Sequence, residues 1–361
     1  MPQPNALINL LGLTELQMIK FVRIQRWPDY RAGQILRWLY QRRARAITQM
    51  TDLSTRDRLT LTELATIHRS THCTVLTSQD GTRKLLLTLD DGMTIETVLI
   101  PDAARLTLCV STQVGCMLDC GFCLTGTMGL HRNLKSYEIV DQVLTAQDQL
   151  AADERITNLV FMGMGEPLAN LDALATAITC LTNKSWGLGW SPKRIIVSTA
   201  GLASRLKEVA ALGVNLAISL NATTEEQRRD LMPAVSEIAS LKSLLAACRR
   251  YPCAPNRRLT FEYVLLAGVN DRPADAQRLV KLLRGMRCKV NLIPFNEFPG
   301  SRFHRPPGRD VLHFQSALRE AGIDVFVRKS RGRDVLGACG QLGEHSAGRE
   351  SVTLTPIESR C

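Results

Sequence analysis

Three closely spaced cysteines carry the most readable chemistry in this sequence. Cys116, Cys120 and Cys123 form the pattern C-x3-C-x2-C directly after a predicted β-strand. Three thiolates on one short loop can converge on an iron–sulfur cluster. Because a [4Fe-4S] cluster has four iron corners, three cysteines leave one iron open to chelate the amino and carboxylate groups of S-adenosylmethionine (SAM). An electron from the cluster could then break a carbon–sulfur bond of SAM and generate a radical.

Structural zinc is the main alternative for these cysteines. Structural zinc normally takes four protein ligands, commonly as two separated pairs. No second C-x2-C pair accompanies the triad, although Cys109 or His131 could supply a fourth ligand. The chain has 11 cysteines, an odd number at uneven spacing, which disfavours a secreted disulfide framework and favours metal or redox chemistry. Cys180 and Cys248 follow helical stretches and are expected to be buried as small hydrophobic residues.

Length, charge and hydropathy limit the classes of protein that this chain can be. Its 361 residues suffice for one catalytic domain with a smaller module. The net charge of +11 favours polyanionic partners through phosphate contacts, although a basic excess can also simply aid solubility. No apolar run approaches the roughly 20 residues of a membrane span, and residues 1–10 do not read as a signal peptide. We therefore expect a cytoplasmic protein without a membrane partner.

Residues 1–75 read as a helical accessory domain, and residues 76–105 as a β-hairpin extension. Thr14 and Gln17 form a capping-box start for the first helix. The second helix has strongly basic polar positions, which are either a solvated face or a surface for RNA. These positions are Arg31, Arg37, Arg42, Arg43 and Arg45. In the extension, a turn at 90–92 joins two strands, and Glu96 is a carboxylate on an otherwise apolar strand face.

From residue 106 to residue 340 short apolar strands alternate with helices, and a polar tail follows at 341–361. The predicted strands are 106–111, 159–162, 195–198, 216–220, 260–265, 289–294 and 325–329. This alternation predicts an α/β fold with a parallel sheet or barrel. Polar or glycine-rich clusters follow four of the strands, at 163–167, 198–201, 219–221 and 296–297. Because chemistry in such folds sits at the carboxyl ends of strands, we expect these clusters to share one site.

Four segments resemble the RlmN/Cfr family of radical SAM RNA methyltransferases, and most of all its dual-specificity RlmN branch. They are Leu108-Cys109-Val110-Ser111-Thr112-Gln113-Val114-Gly115-Cys116, Gly163-Met164-Gly165-Glu166-Pro167-Leu168, Val290-Asn291-Leu292-Ile293-Pro294-Phe295-Asn296 and Gly337-Ala338-Cys339-Gly340-Gln341-Leu342. The resemblance covers nearly the whole chain. It implies a partial (β/α)6-type radical SAM barrel carrying one [4Fe-4S] cluster. It also implies methylation of an adenosine in 23S rRNA, and of an adenosine in the tRNA anticodon loop.

The resemblance also assigns roles to residues that would otherwise read as a strand-core cysteine and a loop thiol. Adenine C2 is electron-poor and cannot attack a methyl group as a nucleophile. The family uses two SAM molecules per turnover: the first methylates a cysteine, matching Cys339, and the second yields the radical that activates this methyl group. A base matching Glu96 removes the ring proton. A second cysteine, matching Cys109, resolves the adduct by forming a disulfide with Cys339.

Further residues match the family's contacts to SAM. They are Gly165, Glu166, Ser198, Ser219, Leu220, Asn221 and Asn296. Family members commonly have His at the position of Asn221, and Asn retains hydrogen bonding but cannot titrate. The cations Arg328, Lys329, Arg331 and Arg333, which precede Cys339, could lower the pKa of its thiol or bind RNA phosphates.

The target base must be unpaired or flipped out, because a duplex hides adenine C2. Arg302, Arg305 and Arg309 could help to hold the RNA backbone. We expect a monomer that needs a reducing electron donor. Three alternatives remain open: methylation of C8, as in the Cfr branch, a radical enzyme with a small-molecule substrate, and a non-catalytic RNA-binding protein with a structural metal.

Overall fold

One continuous ten-stranded sheet forms the centre of the molecule. The computed structural model describes residues 7–70 and 72–343, so residues 344–361 of the expected polar tail lie outside the described residues. Across both described ranges, no helix has the length and apolar character that crossing a membrane requires.

The N-terminal module is mainly helical, as predicted. Its elements are β1 (Ile8–Asn9), α1 (Glu15–Ile24), α2 (Tyr30–Tyr40), α3 (Thr55–Leu64) and β2 (Ala65–Thr66). The capping box of α1 is present, because the Thr14 amide donates to Gln17 Oε1 at 2.8 Å and the Gln17 amide donates to Thr14 Oγ1 at 3.4 Å. The predicted apolar positions of α2 are buried in the core.

An antiparallel extension connects this module to the catalytic half. It consists of β3 (Cys73–Thr77), β4 (Arg83–Thr88) and β5 (Thr94–Asp102). The predicted hairpin is β4–β5, and its turn is closed by a hydrogen bond of 2.8 Å from the Leu89 amide to the Met93 carbonyl. The sequence analysis did not predict β3, which pairs with the outer edge of β4.

The catalytic half alternates strands and helices. Its first elements are β6 (Arg105–Cys109), β7 (Gln113–Gly115), α4 (Leu124–Thr127), β8 (Leu130–Asn133), α5 (Ser136–Asp148), β9 (Asn158–Phe161), α6 (Leu171–Thr182), β10 (Ile195–Thr199) and α7 (Leu206–Ala211). Its remaining elements are β11 (Asn215–Ser219), α8 (Glu225–Leu231), α9 (Pro233–Ile238), α10 (Leu241–Arg249), β12 (Leu259–Leu265), α11 (Pro273–Leu283), β13 (Cys288–Pro294), α12 (Gly308–Glu320) and β14 (Asp324–Val327). All seven predicted strands are present, whereas α8, α9 and α12 were not predicted.

The sheet is open, because its edge strands β14 and β3 do not pair with each other, and its parallel strands alternate with helices as expected. Its strand order is β14-β13-β12-β11-β10-β9-β6-β5-β4-β3. Strand β6 is the junction, since it pairs in parallel with β9 and antiparallel with β5. Cys109, at the end of β6, therefore lies between Val160 of the barrel and Val98 of the extension.

An ion-pair cluster fastens the N-terminal module to α5. Arg43, Arg45 and Arg69 donate to the carboxylate of Asp148 at 3.1, 2.6 and 2.7 Å. Arg69 is buried and also contacts Asp141. Arg43 and Arg45 were candidates for an RNA-facing surface, and in the structure both are engaged in holding the module in place.

Candidate active site

A cavity of about 220 Å³ lies at the carboxyl ends of the parallel strands. Most residues that the sequence analysis selected line it. They are Cys109, Cys116, Cys120, Cys123, Gly165, Glu166, Ser198, Ser219, Asn221, Asn296 and Cys339. These residues come from loops spread over 230 positions of the chain, and the fold gathers them around one space, as the shared-site hypothesis predicted. Glu96 and Leu220 are the two that do not line this cavity.

The loop that carries the three cysteines is closed by backbone contacts. It begins after Gly115, which has a φ of +74°. A side chain there would place its Cβ 1.9 Å from the Gly129 carbonyl oxygen, so only glycine fits. The Cys116 amide donates to the same carbonyl at 2.8 Å. At the far end of the loop the Cys123 amide donates to the Cys120 carbonyl at 3.0 Å, just before α4.

The cysteine triad suits a cationic cluster. Burial raises the pKa of Cys116 to about 12 and also raises those of Cys120 and Cys123. Charge on Cys123 and Cys116 raises the pKa of Cys120 further, and all three cysteines line the same cavity. Three adjacent buried thiolates require compensating positive charge, and bound iron provides it while deprotonating its cysteine ligands. The residues present therefore fit a [4Fe-4S] cluster.

Residues 7–70 and 72–343 contain no site for a single metal ion. No three His, Cys, Asp or Glu side chains there are grouped around one position as ligands of a single metal ion. This result is compatible with the cluster, because three cysteines that each bind a different iron stand further apart than the ligands of one ion. His68 and His72 have a zinc-like H-x3-H spacing that the sequence analysis overlooked, but His68 forms an ion pair with Asp90.

The G-M-G-E-P segment packs tightly against the loop after β6. A Cβ on Gly163 would lie 2.6 Å from Ser111 Oγ, and one on Gly165, with a φ of +95°, would lie 2.4 Å from Gln113 Cβ. Glu166 is buried, and its two carboxylate oxygens accept hydrogen bonds from the backbone amides of Leu168 (3.0 Å) and Ala200 (2.9 Å). Burial raises the pKa of Glu166 to about 7. Glu166 thereby joins the loop after β9 to the end of β10.

The next two strands end in hydroxyl and amide groups. The hydroxyls of Ser198 and Ser219 lie 3.3 Å apart. Asn221 has a φ of +56°, and its Oδ1 accepts a hydrogen bond of 2.9 Å from the Val264 amide. Asn is one of the non-glycine residues that are enriched in this left-handed region. Leu220 is fully buried, and its amide donates to the Glu262 carbonyl at 3.0 Å.

Residues 336–343 form a C-terminal strap across the cavity. The Cys339 carbonyl accepts a hydrogen bond of 3.1 Å from Asn296 Nδ2. The strap is also tied to the segment after the triad, because the Leu124 amide donates to the Gly340 carbonyl at 2.8 Å and Thr125 Oγ1 donates to the Leu342 carbonyl at 2.6 Å. The fold thus holds Cys339 beside the cysteine loop, 216 positions away from Cys123 in the chain.

Cys109 and Cys339 line the same cavity, and Cys339 affects the pKa of Cys109. Burial raises the pKa of the Cys109 thiol to about 12, and the neighbouring Cys339 raises it further. Arg328, one of the cations that precede Cys339, lowers the pKa of both thiols, as the sequence suggested. Both thiols are free in the structure, although Cys339 is exposed towards the cavity.

Glu96 lies beneath the strap and is held on both sides. Its carboxylate is 2% exposed; Oε1 accepts a hydrogen bond of 3.3 Å from Lys84 Nζ, and Oε2 accepts one of 3.2 Å from the Gly343 amide. Lys84 is fully buried and also donates to the Leu336 carbonyl at 3.4 Å. The sequence analysis missed Lys84, although it lies opposite Val98, two residues from Glu96 on β5.

Replacing Lys84 by Met is expected to destabilise the protein by about 3–5 kcal/mol, because the carboxylate of Glu96 would stay buried without its cation. The measurement is the free energy of unfolding in denaturant. The matched control is Arg105→Met, which breaks an exposed pair with Asp102 and should cost no more than about 1 kcal/mol. Equal losses for both variants would contradict the importance of the buried pair.

The three arginines expected to hold RNA differ in the structure. Arg305 Nη1 donates to the carbonyls of Pro294 (3.1 Å) and Phe295 (3.0 Å), so Arg305 supports the loop that carries Asn296. Arg302 is exposed and pairs with Asp230 at 3.2 Å. Arg309 is exposed beside Asp310. Arg302 and Arg309 remain accessible to a polyanion, whereas Arg305 is a supporting residue.

Comparison with known proteins agrees with this arrangement. Residues 110–280 match the Radical SAM superfamily, and residues 8–67 match the ribosomal RNA large subunit methyltransferase N-terminal domain. The chain is 50% identical over 315 residues to the dual-specificity RNA methyltransferase RlmN of Syntrophobacter fumaroxidans, covering 87% of this chain and 92% of that protein. It is 44% identical to RlmN 2 of Myxococcus xanthus, covering 98% and 96%.

A solved structure shows the same fold. The radical SAM methyltransferase from Sphaerobacter thermophilus superposes with a TM-score of 0.87 at 41% identity, covering 93% of this chain and 99% of that one. These matches together cover the accessory module and the barrel. The chain belongs to the RlmN family of radical SAM RNA methyltransferases.

Proposed function

We propose that this enzyme methylates C2 of an adenosine in 23S rRNA and of an adenosine in the tRNA anticodon loop. The observation that carries the proposal is the convergence of Cys109 and Cys339 on the cavity that the cysteine triad lines. A radical enzyme acting on a small molecule has no evident use for this second pair of thiols. The relatives' names, which describe dual-specificity RNA methyltransferases, support two RNA substrates.

Cys116, Cys120 and Cys123 would hold the [4Fe-4S] cluster. SAM would lie against the adjoining strand ends, where the predicted contacts are Gly165, Glu166, Ser198, Ser219, Leu220, Asn221 and Asn296. When bound, the cluster and two SAM molecules per turnover would supply a methyl group and a hydrogen-abstracting radical. The protein's task is to present one thiol to the methyl donor and then to hold the target base against the methylated sulfur.

Cys339 is the methyl acceptor in this proposal, and its exposure towards the cavity supports that role. After the methyl carbon has bonded to the adenine ring and Glu96 has taken the C2 proton, the ring would return one electron to the bound cluster. The Cys109 thiolate then attacks the Cys339 sulfur. A sulfur–sulfur bond forms, the bond between that sulfur and the transferred carbon breaks, and the electron pair of this bond stays with the carbon, which takes up a proton to become the methyl group. A cellular dithiol must then reduce the disulfide before the next turnover.

Glu96 is the proposed acceptor of the C2 proton. Gly343 of the strap donates to its carboxylate, and the side chain does not line the cavity. We therefore infer that the strap shifts before Glu96 reaches the base. Lys84 keeps the carboxylate charged and oriented until that shift.

The cellular setting follows from the chemistry and the composition. A net charge of +11 supports binding to RNA phosphates, and the target base must leave any stack to enter the cavity. The cluster needs a low-potential electron donor, so we place the enzyme in the reducing cytoplasm as a monomer. The disulfide in this proposal is therefore transient.

The identity of the methylated nucleoside tests this function. Anaerobic incubation of the reconstituted holoenzyme with protein-free 23S rRNA or tRNA, reductant and labelled SAM should yield 2-methyladenosine by mass spectrometry of the digested RNA. A product containing only 8-methyladenosine would replace C2 by C8 chemistry. SAM cleavage that is independent of RNA, with no methylated nucleoside, would favour a different substrate class.

A further inference from the structure

A second buried carboxylate lines the active-site cavity without an assigned role. Glu262 lies on β12, is 5% exposed and lines the cavity. Its Oε1 accepts a hydrogen bond of 2.8 Å from Asn291 Nδ2. Its Oε2 is buried and has no hydrogen-bond partner among the residues that the structure describes.

The surroundings of Glu262 place it on the Cys339 side of the cavity. Glu262 and Cys339 line the same cavity, and the charge of Glu262 raises the pKa of Cys339. Burial raises the pKa of Glu262 itself, whereas Arg328, the hydrogen bond from Asn291 and Lys289 lower it. In β11 the partner of Glu262 is Ser219, which marks the region where SAM is proposed to bind. Glu262 therefore shares the cavity with the proposed cofactor contacts and with the sulfur that carries the methyl group.

An unpaired carboxylate oxygen in this position indicates a ligand. A buried acceptor without a donor has lost its hydrogen bonds to water and gained none in return. Such groups are therefore commonly satisfied by the ligand that the site binds. Adenine offers a suitable donor in its exocyclic amino group, whereas inosine and guanine present an oxygen at the same ring position. A carboxylate would attract the amino group of adenine and repel the ring oxygen substituent of the two 6-oxopurines.

We propose that Glu262 accepts a hydrogen bond from the exocyclic amino group of the target adenosine and thereby selects adenine over 6-oxopurines. This inference rests on the proposed function and adds the residue that recognises the base. SAM also contains an adenine amino group, so the experiment must distinguish the amino group of SAM from that of the RNA base. Glu262 lines the cavity together with Cys339, beside which the target ring must be held, and this favours the RNA base.

The test variant is Glu262→Gln. Asn291 donates to Oε1, so the Gln carbonyl should keep that contact and present its NH2 where Oε2 lies now. The cavity would then favour an oxygen over an amino group. We expect the ratio of kcat/KM for RNA with adenosine to that for RNA with inosine at the target position to fall by ~10- to 100-fold relative to wild type. Comparing the two enzymes cancels the intrinsic reactivity of the bases.

Two further measurements show whether Glu262 contacts the adenine of the RNA or the adenine of SAM. If the RNA base is the ligand, SAM affinity by equilibrium dialysis and the extent of Cys339 methylation by protein mass spectrometry stay within about twofold of wild type. A tenfold loss of SAM affinity would overturn the proposal in favour of a cofactor contact. An unchanged adenosine-to-inosine ratio would overturn it outright. The control is Glu237→Gln, an exposed carboxylate on α9, which should change none of these quantities.

The wild-type holoenzyme provides a measurement that does not depend on the variant folding. Without reductant, it should bind RNA with purine riboside at the target position ~10-fold more weakly than RNA with adenosine, because the amino group is missing. Equal affinities would contradict the proposal. If the wild-type enzyme methylates no adenosine at all, the proposed function itself has failed. A failure of the Glu262 proposal alone would leave the methylation of adenosine by the wild-type enzyme intact.

Discussion

Replacing Cys339 by Ala is expected to lower methyl transfer to RNA by at least ~10³-fold, because the acceptor of the methyl group is lost. The cysteine triad and the proposed SAM contacts remain, so reductive formation of 5′-deoxyadenosine from SAM should persist. The measurement is methylated nucleoside and deoxyadenosine from the same anaerobic reaction. Cys253→Ala removes a partly buried thiol that does not line the cavity and should leave both products near wild type. Methylation that survives in Cys339→Ala would refute the proposed route.

Cys109→Ala should fail at a different stage from Cys339→Ala. Cys339 would still be methylated and its carbon would still bond to adenine, but no neighbouring thiol could release it. RNA should therefore remain covalently attached to the protein, which denaturing gel electrophoresis and ribonuclease treatment would reveal. The structure supports this difference, because Cys339 is exposed to the cavity whereas Cys109 is buried at the end of β6. Free RNA product at the wild-type rate would exclude Cys109 as the resolving thiol.

Replacing Cys120 by Ala is expected to have the broadest effect of any single change. One iron corner loses its ligand, so cluster binding, SAM cleavage and methyl transfer should fall together, the last by at least ~10³-fold. Iron and sulfide content and the visible absorption of the anaerobically reconstituted protein measure the cluster. Cys180→Ala is the matched control, because Cys180 is also buried but belongs to α6 and does not line the cavity. If Cys120→Ala kept a full cluster, the triad assignment would be wrong.

Some features were predictable because they depend on local chemistry. The spacing of Cys116, Cys120 and Cys123 restricts them to one loop whatever the rest of the chain does. Alternation of apolar strands with amphipathic helices predicts a parallel sheet, because only burial on both faces explains continuous apolar runs. The short helices α8 and α9 escaped detection, since two turns carry too little periodicity to register.

Other features arise from contacts between distant segments. Nothing in the sequence indicates that Lys84 and Leu336 meet. In the structure, the hydrogen bond from Lys84 to the Leu336 carbonyl ties the strap to the extension. The same holds for the Gly343 amide, which covers the carboxylate of Glu96, the residue that the family resemblance matches to the catalytic base. Glu262 gave no local signal either, because its unpaired oxygen is defined only by what surrounds it.

The amino-acid sequence determined the kinds of group available here: three clustered thiolates, two further thiols, carboxylates on strand faces and a basic surface. Residue type and short-range spacing are enough to specify ligand sets and secondary structure, because both depend on covalent neighbours. Tertiary structure alone decided which of these groups meet, which carboxylate is covered and which retains an unused acceptor. Those properties depend on burial and on the distances between segments that lie far apart in the chain, and such distances exist only after folding.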